Sequence, residues 1–302
     1  MTRSHAHIES AALLGLVLMV GACETSVNIE FPTHAPLIMI NSFFWPDAEF
    51  ELYLGEAVSL ATGEDNIRCI EDGTVELWEG DQKIETLPHV GDCLYRSASN
   101  RPVPGVAYTI RASAPGYQGV EATDTSPRPV PTVFKYDVKG GGPGIGRIDV
   151  TITLTDPTDI QNWYRIMVFY RYEDEEGNIW FDAPRFKTDD EAIIAENQDF
   201  LDIDENGGFE TVFFTDTRIP PGDHRIHIEV PVPWDGRFAS VDLVVFMDGI
   251  SKHFYDYGTT YRIQRQIGDN PFAEPVQVTT NVEHGFGIFG GFNRRRLDVQ
   301  IE

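Results

Sequence analysis

Two neighbouring stretches decide the fold, RIDVTITLTDP (147–157) and NWYRIMVFYRY (162–172). Both are rich in β-branched and aromatic residues and read as strands. The second is almost unbroken in apolar and aromatic side chains, as a strand buried in the middle of a sheet would be. Asp156-Pro157-Thr158-Asp159 joins them as a turn. Upstream, GGGPGIG (140–146) lacks the Gly-Lys-Ser/Thr ending of a phosphate-binding loop and runs into a strand. It is expected to close a hairpin. Downstream, FETVFFTD (209–216), HRIHIEV (224–230) and VDLVVFM (241–247) are further strands, separated by Pro/Gly-rich turns.

The same pattern extends toward the N-terminus. PLIMINSFF (36–44) is a β-rich run broken by Trp45-Pro46-Asp47, and FELYLGEAVSL (50–60) alternates with period two. TVELWEG (74–80), KIETL (83–87), CLYRS (93–97), AYTIRASA (107–114) and Tyr117–Thr125 follow as short strands with frequent turn signals. This pattern resembles the immunoglobulin-like and carboxypeptidase-regulatory-like modules of exported bacterial proteins, which act as spacers or docking surfaces. SPRPVPTV (126–133), with three prolines in eight residues, reads as a stiffened boundary. The expectation is an all-β protein: an N-terminal immunoglobulin-like β-sandwich (36–128), then a larger β-sandwich domain (129–302) carrying one helix. That helix is Ser251–Gln266, where Phe254, Tyr257, Tyr261 and Gln264 share a face. A second short helix is expected in DDEAIIAENQ (189–198).

The N-terminus fixes the compartment. Residues 11–20, AALLGLVLMV, suit the core of an export signal and are too short to span a bilayer as a helix. Val20-Gly21-Ala22-Cys23 resembles the lipobox of bacterial lipoproteins. The resemblance implies a signal peptide over 1–22, lipidation of Cys23, and a tether over 23–35. Several acyl chains on one cysteine would hold the body at a membrane where a single chain would not.

Charge narrows the partners. Asp and Glu number 48 against 23 Lys and Arg, a formal charge of −25. Such a chain is not built for nucleic acid or for an anionic lipid surface. Only five of its bases are lysines, which fits either a saline habitat or an ordinary acidic exported protein.

Several residues are candidates for chemistry. With Cys23 used for lipid, Cys69 and Cys93 are expected to form a disulfide; two buried thiols are the alternative. Asp202-Ile203-Asp204-Glu205-Asn206-Gly207 matches the first half of a calcium loop, with Glu210 as a substitute ligand at the ninth place. Phe213 stands where the loop's bidentate glutamate belongs, so a bare acidic turn is the competing reading and no cofactor is otherwise expected. His224 and His227, three apart on a strand, point to opposite faces and cannot share a metal there. Arg294-Arg295-Arg296 is a basic cluster expected to pair with carboxylates within the chain; a docking patch for an anionic partner is the alternative. There is no Gly-x-Ser-x-Gly and no His-Glu-x-x-His, so an enzyme is not expected.

The C-terminal segments carry a family resemblance. Asn270-Pro271-Phe272-Ala273-Glu274-Pro275-Val276 and Asn281-Val282-Glu283-His284-Gly285-Phe286-Gly287-Ile288-Phe289-Gly290-Gly291 resemble the signature of a Bacteroidota lipoprotein family catalogued as domain of unknown function 4249. LIMINSFF, PGVAYTI, APGYQGVEA, LTDPTDIQNWYRI and the helix bearing Phe254-Tyr255 and Tyr257 also fit it. Gly258 departs from it, because the family usually places a bulkier residue there. The resemblance implies an exported, lipid-anchored outer-membrane protein, an accessory to a TonB-dependent β-barrel receptor, with no established catalytic residues. Two readings compete with it: a surface glycan or peptide hydrolase, and a structural cell-surface protein.

Overall fold

Side chains along the stretch Trp163–Glu173 alternate strictly between half-buried and fully buried for eight residues. That alternation marks a strand with one face in a core. The computed structural model describes residues 36–57, 68–140, 146–157, 160–198, 208–233, 240–267, 274 and 276–301. Pro36–Glu302 forms one compact unit, and the protein is all-β.

The first block supplies β1 (Ile38–Phe44), β2 (Glu51–Glu56), β3 (Arg68–Cys69), β4 (Thr74–Glu79) and β5 (Gln82–Leu87). It continues with β6 (His89–Gly91), β7 (Leu94–Arg96), β8 (Ala107–Ser113) and β9 (Val120–Thr125). The second block supplies β10 (Thr132–Lys139), β11 (Arg147–Asp156), β12 (Trp163–Glu173), β13 (Ile179–Asp182) and β14 (Lys187–Thr188). After helix α1 (Glu191–Asn197) come β15 (Thr211–Thr215), β16 (Gly222–Pro231) and β17 (Ser240–Ile250). Helix α2 (Lys252–Ile267), β18 (Val282–Glu283) and β19 (Phe286–Ile301) complete the chain.

Three sheets make two sandwiches. One sheet runs β18-β9-β8-β4-β5, a second β10-β11-β16-β14, and a ten-stranded sheet runs β13-β12-β17-β19-β1-β2-β7-β6, with β15 on β12 and β3 on β2. The first core lies between β1, β2, β7 and the five-stranded sheet, and includes Ile38, Ile40, Leu52, Leu77, Ile110 and Ala122. The second lies between β12, β17 and the four-stranded sheet, and includes Ile148, Val150, Ile152, Tyr164, Val168, Ile226 and Val245. β11 and β12 therefore face each other across a core instead of pairing. Residues 141–145 of the glycine-rich stretch lie outside the described residues; the strands on either side of them, β10 and β11, pair antiparallel with Lys139 opposite Arg147.

One core gives way to the other between residues 122 and 130: Ala122 belongs to the first and Val130 to the second. The C-terminal block is not confined to the second sandwich, however. Val282 and Phe289 lie in the first core. β19 pairs in parallel with β1 from Met39↔Phe286 to Phe44↔Gly291, then antiparallel with β17 from Ile250↔Phe292 to Val241↔Ile301. One 16-residue strand thus serves both sandwiches. Two segments far apart in sequence meet here, and no local pattern announces such a pairing.

Helix α2 begins where expected. Ser251 Oγ accepts the backbone N–H of Phe254 at 3.1 Å, an N-terminal cap. In α1, Asp190 Oδ1 accepts from the backbone of Ala192 and Ile193 at 3.0 Å each.

Candidate functional site

The signature segment Asn281–Gly291 and the start of helix α2 meet at the junction of the two sandwiches. In β19 the glycines let strands approach. Gly287 sits at φ +101°, and a Cβ there would overlap the carbonyl oxygen of Ile40. A Cβ on Gly291 would come within 2.6 Å of Thr125 O and 3.0 Å of the Phe44 ring. Asn281 brackets the same strand, donating to Phe289 O at 2.8 Å and accepting from Phe289 N at 3.0 Å. Asp124, on β9, accepts from Gly291 N at 2.8 Å, while its other oxygen lies 3.0 Å from His253 Nδ1 on α2. That carboxylate hydrogen bond raises the His253 pKa above its ordinary value.

Beneath α2 lies a buried charge cluster. Asp248 on β17 is fully buried and is flanked across the sheet by Arg165 and Arg294. Arg165 Nη2 donates to it at 2.6 Å and Arg294 Nε at 2.8 Å. The Arg165 guanidinium lies 4.5 Å from the Phe254 ring and that of Arg294 4.0 Å from Phe246. Burial lowers the Arg165 pKa, opposed by the Asp248 charge.

A second network ties α2 to α1. Glu196 accepts from Thr215 and from the Tyr255 hydroxyl at 3.1 Å, and Arg262 Nη2 donates to Asn197 Oδ1 at 2.7 Å. Burial brings Arg262 down to about 10. Gly258 also has its reason here: a Cβ would meet the Phe213 ring at 2.5 Å. The helix stays continuous through it. These contacts hold the fold together and leave little for chemistry.

The other expected residues fall as follows. Cys69 and Cys93 are disulfide-bonded, joining β3 to the turn before β7. Cys23 lies outside the described residues, as do Asp202, Asp204 and Asn206. Glu210 is described, and its carboxylate lies 3.7 Å from Arg185. His224 and His227 part company as expected. His224 Nε2 meets Asp190 at 2.7 Å, whereas His227 joins Asp149 and Glu229, whose ligand atoms lie within 4.8 Å of one another. Lys139 and Arg147 already neutralise Asp149, lowering its pKa, and Arg147 also reaches Glu229 at 3.5 Å. A cation entering there would have to displace both. Of the basic cluster, Arg294 pairs with Asp248 and Arg296 with Asp298, while Arg295 is exposed. On the helix stripe, Phe254 is buried, and Tyr257 and Tyr261 stack 5.9 Å apart with Tyr261 half exposed.

A pair of carboxylates bears on the hydrolase reading. Asp216 has a raised pKa, chiefly from burial and also from nearby Asp156. Yet Asp216 accepts from the Asn162 backbone at 2.7 Å and Asp156 accepts from the Tyr164 hydroxyl at 2.5 Å. Both are engaged in holding the β11–β12 turn.

Sequence reasoning passed over one surface. In β13, Ile179, Trp180 and Phe181 are 48%, 46% and 66% exposed. The sequence offers only three bulky apolar residues beside an acidic run, and nothing local says whether they are buried. Ordinary alternation would have buried one face of it. Among the described residues β13 is instead the terminal strand of the ten-stranded sheet.

A family model described as a domain of unknown function (DUF4249) matches residues 24–298. The chain belongs to this family. No curated protein matches it. Among solved structures, it is similar to a Corynebacterium diphtheriae protein named as membrane anchored, at 12% identity and a TM-score of 0.20. That match takes in 73% of this chain, which spans 55% of the other. In this DUF4249 chain the signature segment Asn281–Gly291 is the strand junction itself. Its glycines and its asparagine are explained by backbone contact.

Proposed function

We propose that this DUF4249 protein is a lipid-anchored accessory of the bacterial outer membrane. It binds a partner, a TonB-dependent β-barrel receptor, and supports uptake without catalysing a reaction. The observation that carries the reading is the exposed apolar edge at Ile179–Phe181. Exposed apolar runs of this kind mark interaction sites. The anchor is supported by the lipobox-like sequence ending at Cys23 and by the family match, which begins at residue 24. No described helix is long and apolar enough to cross a membrane, so lipid at Cys23 would be the means of attachment.

The test is fractionation with metabolic palmitate labelling. The wild type is expected in the outer-membrane fraction, labelled, and co-extracted with a barrel protein. Cys23→Ser is expected unlabelled and released. A labelled protein that leaves the membrane alone would remove the accessory role while keeping the anchor; an unlabelled wild type would remove the anchor.

A further inference from the structure

Natural sheet proteins protect terminal strands by keeping them very short, or with charged residues, proline, bulges or covering elements; β13 is short and carries one charge, Asp182. β13 has no lysine or proline within its four residues, IWFD. Its pairing with β12 is regular, Tyr170↔Asp182 through Glu173↔Ile179, without a register shift. The hairpin is well fastened. Asp174 accepts from the Asn178 backbone and side chain at 2.8 Å each, and Asn178 O accepts from Asp174 N at 3.1 Å. Gly177 supplies the positive φ of +81°. A preformed strand with bulky apolar groups on both faces is therefore held out at the sheet edge.

Its rim is mainly acidic; Arg171, opposite Phe181 on β12, is held by Glu173 and Asp242. Residues 173–182 contain Glu173, Asp174, Glu175, Glu176 and Asp182 and no lysine or arginine. Asn178's hydrogen bonds lower the Asp174 pKa and keep it ionised. Glu175, Glu176 and Asp182 are exposed, while Glu173 is paired with Arg171. A second copy of this chain would bring like charge against like, and so would an anionic lipid surface. The complementary occupant is cationic and extended.

We propose that β13 docks an extended strand of a different protein, apolar at alternate positions and flanked by lysine or arginine, which adds to the ten-stranded sheet at this edge. Main-chain hydrogen bonds would supply affinity, the Ile179/Phe181 and Trp180 faces side-chain selectivity, and the acidic rim orientation. The inference rests on the accessory reading for the partner's presence in the envelope and names the chemistry of its contact.

The experiment places the photo-cross-linker p-benzoylphenylalanine at position 181 of the full lipidated chain in its native membrane. The same group at Val133, which is 59% exposed on another sheet, is the control. The cross-linked peptide is sequenced, and hydrogen exchange is followed at residues 179–182 of the purified adduct. The proposal expects an adduct to a lysine- or arginine-flanked β segment of another protein, with slowed exchange at 179–182. Two variants, Ile179→Lys alone and Glu175→Lys/Glu176→Lys together, should each cut the yield at least tenfold. Raising salt from about 0.05 M to about 0.5 M should weaken it as well. All these side chains are exposed, and circular dichroism checks that the variants fold. An adduct to lipid, to a second copy or to an acidic or helical segment overturns the proposal, as does no adduct above the Val133 control. If the captured strand belongs to a protein other than an outer-membrane barrel, the edge inference stands and the receptor reading falls. If a barrel co-purifies while position 181 captures nothing, the reverse holds.

Discussion

Replacing Gly287 by alanine tests whether β19 joins the sandwiches by backbone contact. Two costs add. At φ +101° any L side chain is strained, at roughly 1–3 kcal/mol. The new Cβ would also overlap Ile40 O on β1, so β1 must move off β19. Losing two ladder hydrogen bonds at about 1 kcal/mol each, with some loosening around buried Ile40 and Phe289, adds roughly 2–4 kcal/mol. Gly116 isolates the first cost: its φ is +85°, but nothing lies within 4 Å of a Cβ added there. Urea unfolding of both variants is the assay. Gly116→Ala should lose roughly 1–3 kcal/mol, and Gly287→Ala at least about 2 kcal/mol more. Equal losses would refute the close-approach argument.

Removing Asp248 as Asp248→Ala leaves Arg165 and Arg294 without their shared counter-ion, and should cost about 3–5 kcal/mol in the same assay. The His253–Asp124 contact predicts a pH dependence. Because the folded His253 pKa is raised, its stabilisation is fully present below the unfolded value near 6.5 and is lost as pH rises through the folded value. The stability gap between wild type and His253→Gln should therefore be larger at about pH 5.5 than at about pH 8.5, and Asp124→Asn should flatten it. Cys69→Ser/Cys93→Ser opens a link between residues 24 apart and should lower stability by roughly 3–4 kcal/mol, read by urea unfolding with and without reductant.

Local patterns were legible because they are local. The alternation in Trp163–Glu173, the helix from Ser251, and the Trp45-Pro46-Asp47 break after β1 are all encoded within a few residues of themselves. The disulfide was expected from an even pair of cysteines on a chain whose N-terminus reads as an export signal. The return of residues 282–292 to the first sandwich was not legible. β1 and β19 lie at opposite ends of the chain, and glycine-rich GFGIFGG carries no periodicity that names a partner. The strand runs in unbroken register with β1, and its glycines serve strand contact. The same non-local packing explains Gly258, whose need for a small residue comes from Phe213 on β15. Exposure of Ile179–Phe181 was hidden for the opposite reason. Hydrophobicity suggests burial, and only the sheet order reveals an edge.

The central claim is that this protein works as a membrane-held partner. Its most direct test is to extract the lipidated chain from native outer membrane in mild detergent and identify what comes with it, with the mass of the intact complex measured. The account predicts a stoichiometric complex with a TonB-dependent barrel. Extraction of the protein alone, at the mass of a single chain, would contradict it.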